Sequence, residues 1–235
     1  GDISFYKTQD GHLAREKGGV DASRIANDPA FVRTRENGAE FGSSASSGKV
    51  LRDALRTMLM TASDNRVTSR LTKLMTDIKN LDATSARGLR TVGTAIALPT
   101  AKALLKGFNF NSKAILGGVL YKAYAVNTVT GVITINGLVP INDIAFPSGA
   151  THMNIKGAWA KIDSATNVYD VQFSNVVSLA IDGISTNAIL TRVTPPLGGG
   201  TDTYLSMIEF LQEVNGVQYA LKNGAYNALS IVEVA

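Results

Sequence analysis

The sequence predicts an α+β protein: an extended N-terminal arm, a helical hairpin, then a mainly antiparallel β-sandwich or barrel. Three observations carry this. The first 48 residues are charge-dense and glycine-punctuated, with no sustained hydrophobic period. From residue 49 apolar residues recur at helical spacing, and beyond residue 107 apolar and polar residues alternate between turn residues. The expected divisions are therefore an arm over 1–48, a basic helical part over 49–106 and an antiparallel β part over 107–235.

Within the arm, Ile3 to Tyr6 reads as a short strand, Asp10-Gly11 and Gly18-Gly19 as turn punctuation, and Asp21 to Ala26 as a short helix. Asp28 is a good N-cap and Pro29 fits the first helical position, while Asn37-Gly38 reads as a stop, so a two-turn helix is expected over Pro29 to Glu36. A helix this short does not hold itself folded in water and must dock. Its Phe31, Arg33, Arg35 and Glu36, with Phe41 beyond, are candidate subunit-interface residues.

Leu51, Leu55, Met58 and Leu59 then share one helical face, with Arg52, Asp53 and Arg56 on the other. After the capping cluster Ser63-Asp64-Asn65, a second helix turns Val67, Leu71, Leu74, Met75 and Ile78 inward and Arg66, Arg70, Lys73 and Lys79 largely outward. Within residues 82–110, Thr91 to Leu98 reads as either a strand or a helical turn, Pro99 breaks either, and Ala101 to Leu105 is helix-like. Strands are expected at Val132–Ile135, Met153–Ile162, Tyr169–Ser174, Val176–Ile181, Leu205–Val214, Val217–Leu221 and Ala228–Val234. Asn215-Gly216 is the strongest hairpin signal in the chain.

A chain of 235 residues, 45% hydrophobic and 18% charged, can bury one good core or a core with an appended subdomain. Aromatic content of 7% does not suggest an aromatic-lined small-molecule pocket. The absence of cysteine excludes disulfides, thiol catalysis and thiolate metal sites. No apolar run approaches the ~20 residues of a membrane-spanning helix, and no secretory leader is visible, which slightly favours a cytoplasmic location. The net charge is +4, but residues 49–106 hold eleven Lys/Arg against four Asp/Glu. Arg52, Arg56, Arg66, Arg70, Lys73 and Lys79 are accordingly candidate polyanion-binding residues, although no aromatic residues interleave them for base stacking.

Sites of reaction are harder to find. Gly42 and Gly48 flank five residues before Lys49, whereas a phosphate-binding loop has four, and Val50 stands where the magnesium-binding hydroxyl belongs. The stretch reads as a flexible linker into a helix, with Lys49 solvated. His12 and His152 have no second histidine at ligand spacing. His152 reads as an edge residue with a satisfied hydrogen bond. Glu209 and Glu213 lie roughly 13 Å apart along a strand, beyond the ~5–9.5 Å of paired-carboxylate glycosidase chemistry. No catalytic residue, cofactor site or metal site is expected.

The segments Ser4-Phe5-Tyr6-Lys7, Ala14 to Val20, Asn27-Asp28-Pro29-Ala30-Phe31, Arg33 to Asn37 and Glu40-Phe41-Gly42 resemble the N-terminal signature of a family of uncharacterised proteins from Bacteroidota-type bacteria. The resemblance implies a strand-rich C-terminal part and brings no activity. The reading that follows is a non-enzymatic structural protein, homo-oligomeric, that assembles into a filament, tube or shell through its arm and β part. The alternative is a nucleic-acid or other polyanion-binding protein using the basic helix pair.

Overall fold

A computed structural model describes residues 3–16, 19–221 and 224–235. Lys17 and Gly18, which belong to the charged N-terminal stretch and to the expected Gly18-Gly19 turn, lie outside the described residues. The chain runs β1 (Ile3–Thr8), β2 (Gly11–Glu16), α1 (Ala22–Asn27), a 3-10 turn (Pro29–Phe31), α2 (Val32–Ala54), α3 (Arg56–Thr61), α4 (Val67–Lys79), α5 (Val92–Ala95), α6 (Pro99–Leu105) and α7 (Leu116–Val119). It continues through β3 (Ala125–Val126), β4 (Ile133–Leu138), α8 (Pro140–Asp143), β5 (His152–Asp163), β6 (Val168–Ala180), β7 (Thr186–Leu190), β8 (Thr201–Val214), β9 (Val217–Ala220), a second 3-10 turn (Gly224–Tyr226) and β10 (Ala228–Val234). Helices and antiparallel sheets together make an α+β protein.

The central element is a five-stranded antiparallel sheet in the order β10-β8-β5-β6, with β9 added to β8. Because side chains alternate across a strand, its two faces serve two cores. Ala158, Ala160, Ile162, Leu205, Met207, Leu229 and Ile231 pack against the helices, joining Leu51, Leu55, Leu71, Met75, Ile78 and Ala101. Met153, Ile155, Trp159, Tyr204, Ile208 and Phe210 face the opposite way, toward Ile133, Ile135, Ala188 and Leu190 of a three-stranded sheet, β3-β4-β7. One core therefore spans the helical and β parts of the chain.

Turn chemistry fixes the register where it was expected. Asn215 and Gly216 both take positive φ (53° and 77°), the combination a two-residue hairpin turn needs, and β8 pairs with β9 outward from Val214↔Val217. The Asp10-Gly11 signal also falls at a hairpin, where Gln9 and Asp10 form the turn and Gly11, at φ +131°, opens β2 opposite Thr8. Gly200 combines φ of +111° with contact against backbone: a Cβ there would lie 2.5 Å from the Ile162 carbonyl oxygen. Gly200→Ala should therefore lower stability by about 3 kcal/mol, a strained left-handed residue adding to a clash that rotamer changes cannot relieve. Chemical denaturation measures this directly.

Two expectations need correction. The Gly42–Lys49 stretch is no linker and Asn37-Gly38 no stop, since both lie within the 23-residue helix α2, which runs through the expected boundary at residue 48. Its inward face is Glu40, Ser44, Ser47, Gly48 and Leu51, at successive helical spacings. Small residues there let α4 approach closely: a Cβ on Gly48 would meet Leu71 Cγ at 3.6 Å and Met75 Cγ at 3.7 Å. The buried Ser44 and Ser47 hydroxyls donate back to the Glu40 and Ser43 carbonyls, so neither is left unsatisfied.

Second, the two strands expected over 169–181 are one strand, β6. An irregularity between Lys156↔Val176 and Ala158↔Phe173 absorbs an extra residue, with the Ser174 hydroxyl accepting the Gly157 N–H at 2.7 Å. Of the two readings of Thr91 to Leu98, the helical turn is the one that forms, as α5 over Val92–Ala95. The Thr91 side chain caps α5, which ends before Pro99, and Pro99 opens α6 as a first-turn residue.

Candidate assembly surface

Among the described residues the β1–β2 hairpin is two strands with no third. Its directly opposed pairs are Ile3↔Glu16, Phe5↔Ala14 and Lys7↔His12 on one face, and Ser4↔Arg15, Tyr6↔Leu13 and Thr8↔Gly11 on the other. Neither face joins either hydrophobic core. Ile3 is 60% exposed, Phe5 81%, Tyr6 44% and Leu13 50%. A two-stranded hairpin is marginal in water, and this one also leaves its apolar side chains wet. Its tip is held polarly: Gln9 Nε2 donates to the Asn65 carbonyl at 3.0 Å, and Asp10 pairs with Arg66 at 3.2 Å.

Behind the hairpin, the cap of α1 is the Asp21 carboxylate, which accepts from Ser23 N–H, and Asp28 caps the following turn through Ala30 N–H. Hydrogen bonds from Ser23 and Ala30, respectively, hold these two carboxyls below the usual range. Arg35 fastens this segment to α2 by donating to the Ile25 and Asp28 carbonyls at 2.6 and 3.0 Å. The five predicted interface residues thus divide. Phe31 is half-buried beneath the Arg24 guanidinium, Arg35 is spent on its own chain, and Glu36 pairs with Arg87 at 2.7 Å. Arg33 is exposed, and Phe41 is 58% exposed on the outer face of α2.

The mount for this surface is an ionic node between α2, α4 and the loop after α4. Glu40 is buried. Its Oε2 accepts Lys79 Nζ at 2.6 Å and Arg90 Nη2 at 2.8 Å, while Oε1 accepts Arg90 Nε at 2.8 Å and Gly88 N–H at 2.7 Å. The Arg90 contact, helped by Lys79 and Gly88 against the opposing effect of burial, brings the Glu40 carboxyl down to about 2. Nearby, Asp82 accepts from Ser85 and Thr84, which hold its carboxyl far below the ordinary range. These charges fix how α2, α4 and the following loop cross.

The six basic candidates do not form one open face. Lys79 is buried against Glu40, which corrects its expected outward position. Arg70 is half-buried, pairing with Asp64 and donating to the Asn109 and Phe110 carbonyls. Arg66 pairs with Asp10 and Lys73 with Asp77. Arg52 and Arg56 make no ion pair among the described residues. Lys49 pairs with Asp53 within α2.

Sequence reasoning read a short strand over Ile3 to Tyr6 and a turn at Asp10-Gly11 but did not pair that strand with Leu13 and its neighbours, since Gly11 to Glu16 carries no strand alternation. His152 stands at the start of β5 with Nδ1 3.0 Å from Thr151 Oγ1 and Nε2 3.4 Å from Glu213. No group of three or more His, Cys, Asp or Glu among the described residues could hold a metal ion, and no helix is long and apolar enough to cross a membrane. Compared with protein-family models, curated proteins and solved structures, the chain matches none.

Proposed function

We propose that this chain is a structural protein that self-associates into a filament, tube or shell through its N-terminal hairpin arm. The observation that carries the reading is the hairpin itself, with Ile3, Phe5, Tyr6 and Leu13 exposed and no partner layer beneath them. Covering each such side chain is worth about 1.5–3 kcal/mol, so a neighbouring copy that covers several would order the arm and join the subunits in one step. The rest of the chain reads as the rigid body that presents the arm. We take its β half to be a sandwich, the three-stranded sheet closing one face of the five-stranded sheet over Trp159, Tyr204 and Phe210.

Sedimentation velocity over a hundredfold concentration range, with negative-stain microscopy at the upper end, tests the proposal. Concentration-dependent growth into regular particles is expected. A monodisperse monomer throughout would overturn it, and steeply salt-dependent nucleic-acid binding by such a monomer would favour the polyanion reading instead.

A further inference from the structure

On the helix-facing side of the five-stranded sheet, Ala158, Ala160 and Ile162 of β5 join the helical core, and the same strand face continues to Lys156 and Asn154. On β8 it continues from Leu205 and Met207 to Glu209. There a pocket of about 170 Å³ lies between α3, which brings Thr57 and Thr61, and the sheet, which brings Asn154, Lys156 and Glu209. Met58, Val176 and Met207 give it an apolar wall.

The three polar side chains of the sheet are half-buried, and none makes a hydrogen bond or ion pair among the described residues. Asn154 stands directly opposite Glu209 and Lys156 directly opposite Met207, so Lys156 and Glu209 are diagonal neighbours on one face. Positions so related lie about 7–8 Å apart, within mutual reach of two long side chains. Yet these two do not pair. Lys156 Nζ lies instead over the Phe173 ring, 4.5 Å from its centroid, and both charges line the pocket. A cation and an anion, each half-buried, therefore face one small space with their charge-assisted bonds unmade.

We infer that this pocket binds a free α-amino acid with a short side chain, its carboxylate on Lys156 and its ammonium on Glu209. Such a ligand carries both charges a few atoms apart and completes both bonds at once, each at about 2.7–2.9 Å. The Asn154 carbonyl oxygen, beside Glu209, is a second acceptor for the ammonium. A molecule with only one of the two charges would leave the opposite charge of the pocket covered and uncompensated, so the protein pair selects against it. Volume limits the side chain: 170 Å³ is below the ~300–1,000 Å³ that takes drug-sized molecules, which fits alanine or serine against the methionine and valine wall. No residue of this pocket belongs to the hairpin arm, so binding is independent of assembly.

Isothermal titration calorimetry on the unmodified chain tests this with four probes: L-alanine, L-serine, propionate and ethylamine. The last two are alanine without its amine and alanine without its carboxylate. Saturable binding of an amino acid with Kd below ~1 mM is expected, with propionate and ethylamine at least ~30-fold weaker. Lys156→Met and Glu209→Gln should each weaken the amino acid by a similar factor, and thermal unfolding checks that each variant folds. Absence of saturable binding by both amino acids overturns the inference, as does propionate or ethylamine binding as tightly as alanine. Unchanged affinity in the folded variants overturns it too. The comparison of ligands uses the unmodified chain, so it decides even where a variant does not fold.

Discussion

Glu40→Gln should lower stability by about 3 kcal/mol, which for a chain of 235 residues corresponds to a drop in Tm of roughly 6–12 °C. The carboxylate is the common anion of a buried node, and neutralising it leaves the Lys79 ammonium, only 5% exposed, without a counter-charge. Lys79→Met should cost far less, roughly 1 kcal/mol, since Glu40 keeps both Arg90 bonds and the Gly88 N–H. The asymmetry is the point of the comparison. Equal losses would mean that the node is no more than a pair of interchangeable surface ions.

The same node sets the acid limb of stability. Glu40 titrates near 2 in the folded chain against an ordinary 4.5, and the Asp82 and Asp64 carboxyls are depressed as well. For Asp64, burial works in the raising direction and is outweighed by hydrogen bonds, chiefly from Ser112 and then Arg66 and Arg70. As pH falls from about 4.5 toward 2, the unfolded chain takes up protons that the folded chain refuses, so stability present above 4.5 is lost across that window. Urea midpoints measured at intervals from pH 6 to pH 2.5 should decline below 4.5, with a shallower decline in Glu40→Gln.

Phe5→Ser should raise the concentration needed for assembly about 30-fold while shifting Tm by no more than about 1 °C. The ring is 81% exposed and belongs to no core of its own chain, so its removal costs the monomer little. If a neighbour covers it, about 2 kcal/mol of burial is lost at each contact, which is the stated factor. Light scattering at increasing concentration reports the assembly threshold, and differential scanning calorimetry reports the monomer.

The parts of this fold legible from sequence are those where one local rule acts alone. Asn215-Gly216 set a hairpin because only left-handed residues fit its turn, and the 3.6-residue apolar period of Val67 to Ile78 marked α4 in full. The middle of α2, Asn37 to Lys49, was illegible for a physical reason. Its buried face is made of Glu40, Ser44, Ser47 and Gly48, which carry no hydrophobic period, and what makes them an inward face is the closeness of Leu71 and Met75 on another helix. Tertiary contact overrode local propensity there.

The candidate surface was legible in part for a similar reason. The short, charged arm read as one that must dock to hold its fold, and of its five named residues Arg33 and Phe41 are exposed. It could not show that Glu36 would find Arg87, 51 residues away, or that Lys79 would find Glu40 across 39. Long-range ion pairing turned an apparent basic face into the fastening of the helical layer. The uncovered hydrophobic side chains of the hairpin, which join no core of their own chain, are the feature on which the assembly reading rests.

The most direct test of the assembly claim is sedimentation velocity on the unmodified chain beside a Phe5→Ser/Leu13→Ser double variant at the same high concentration. The account predicts large, regular particles for the unmodified chain and a folded monomer for the double variant. Identical sedimentation of the two, whether both monomeric or both assembled, would contradict it.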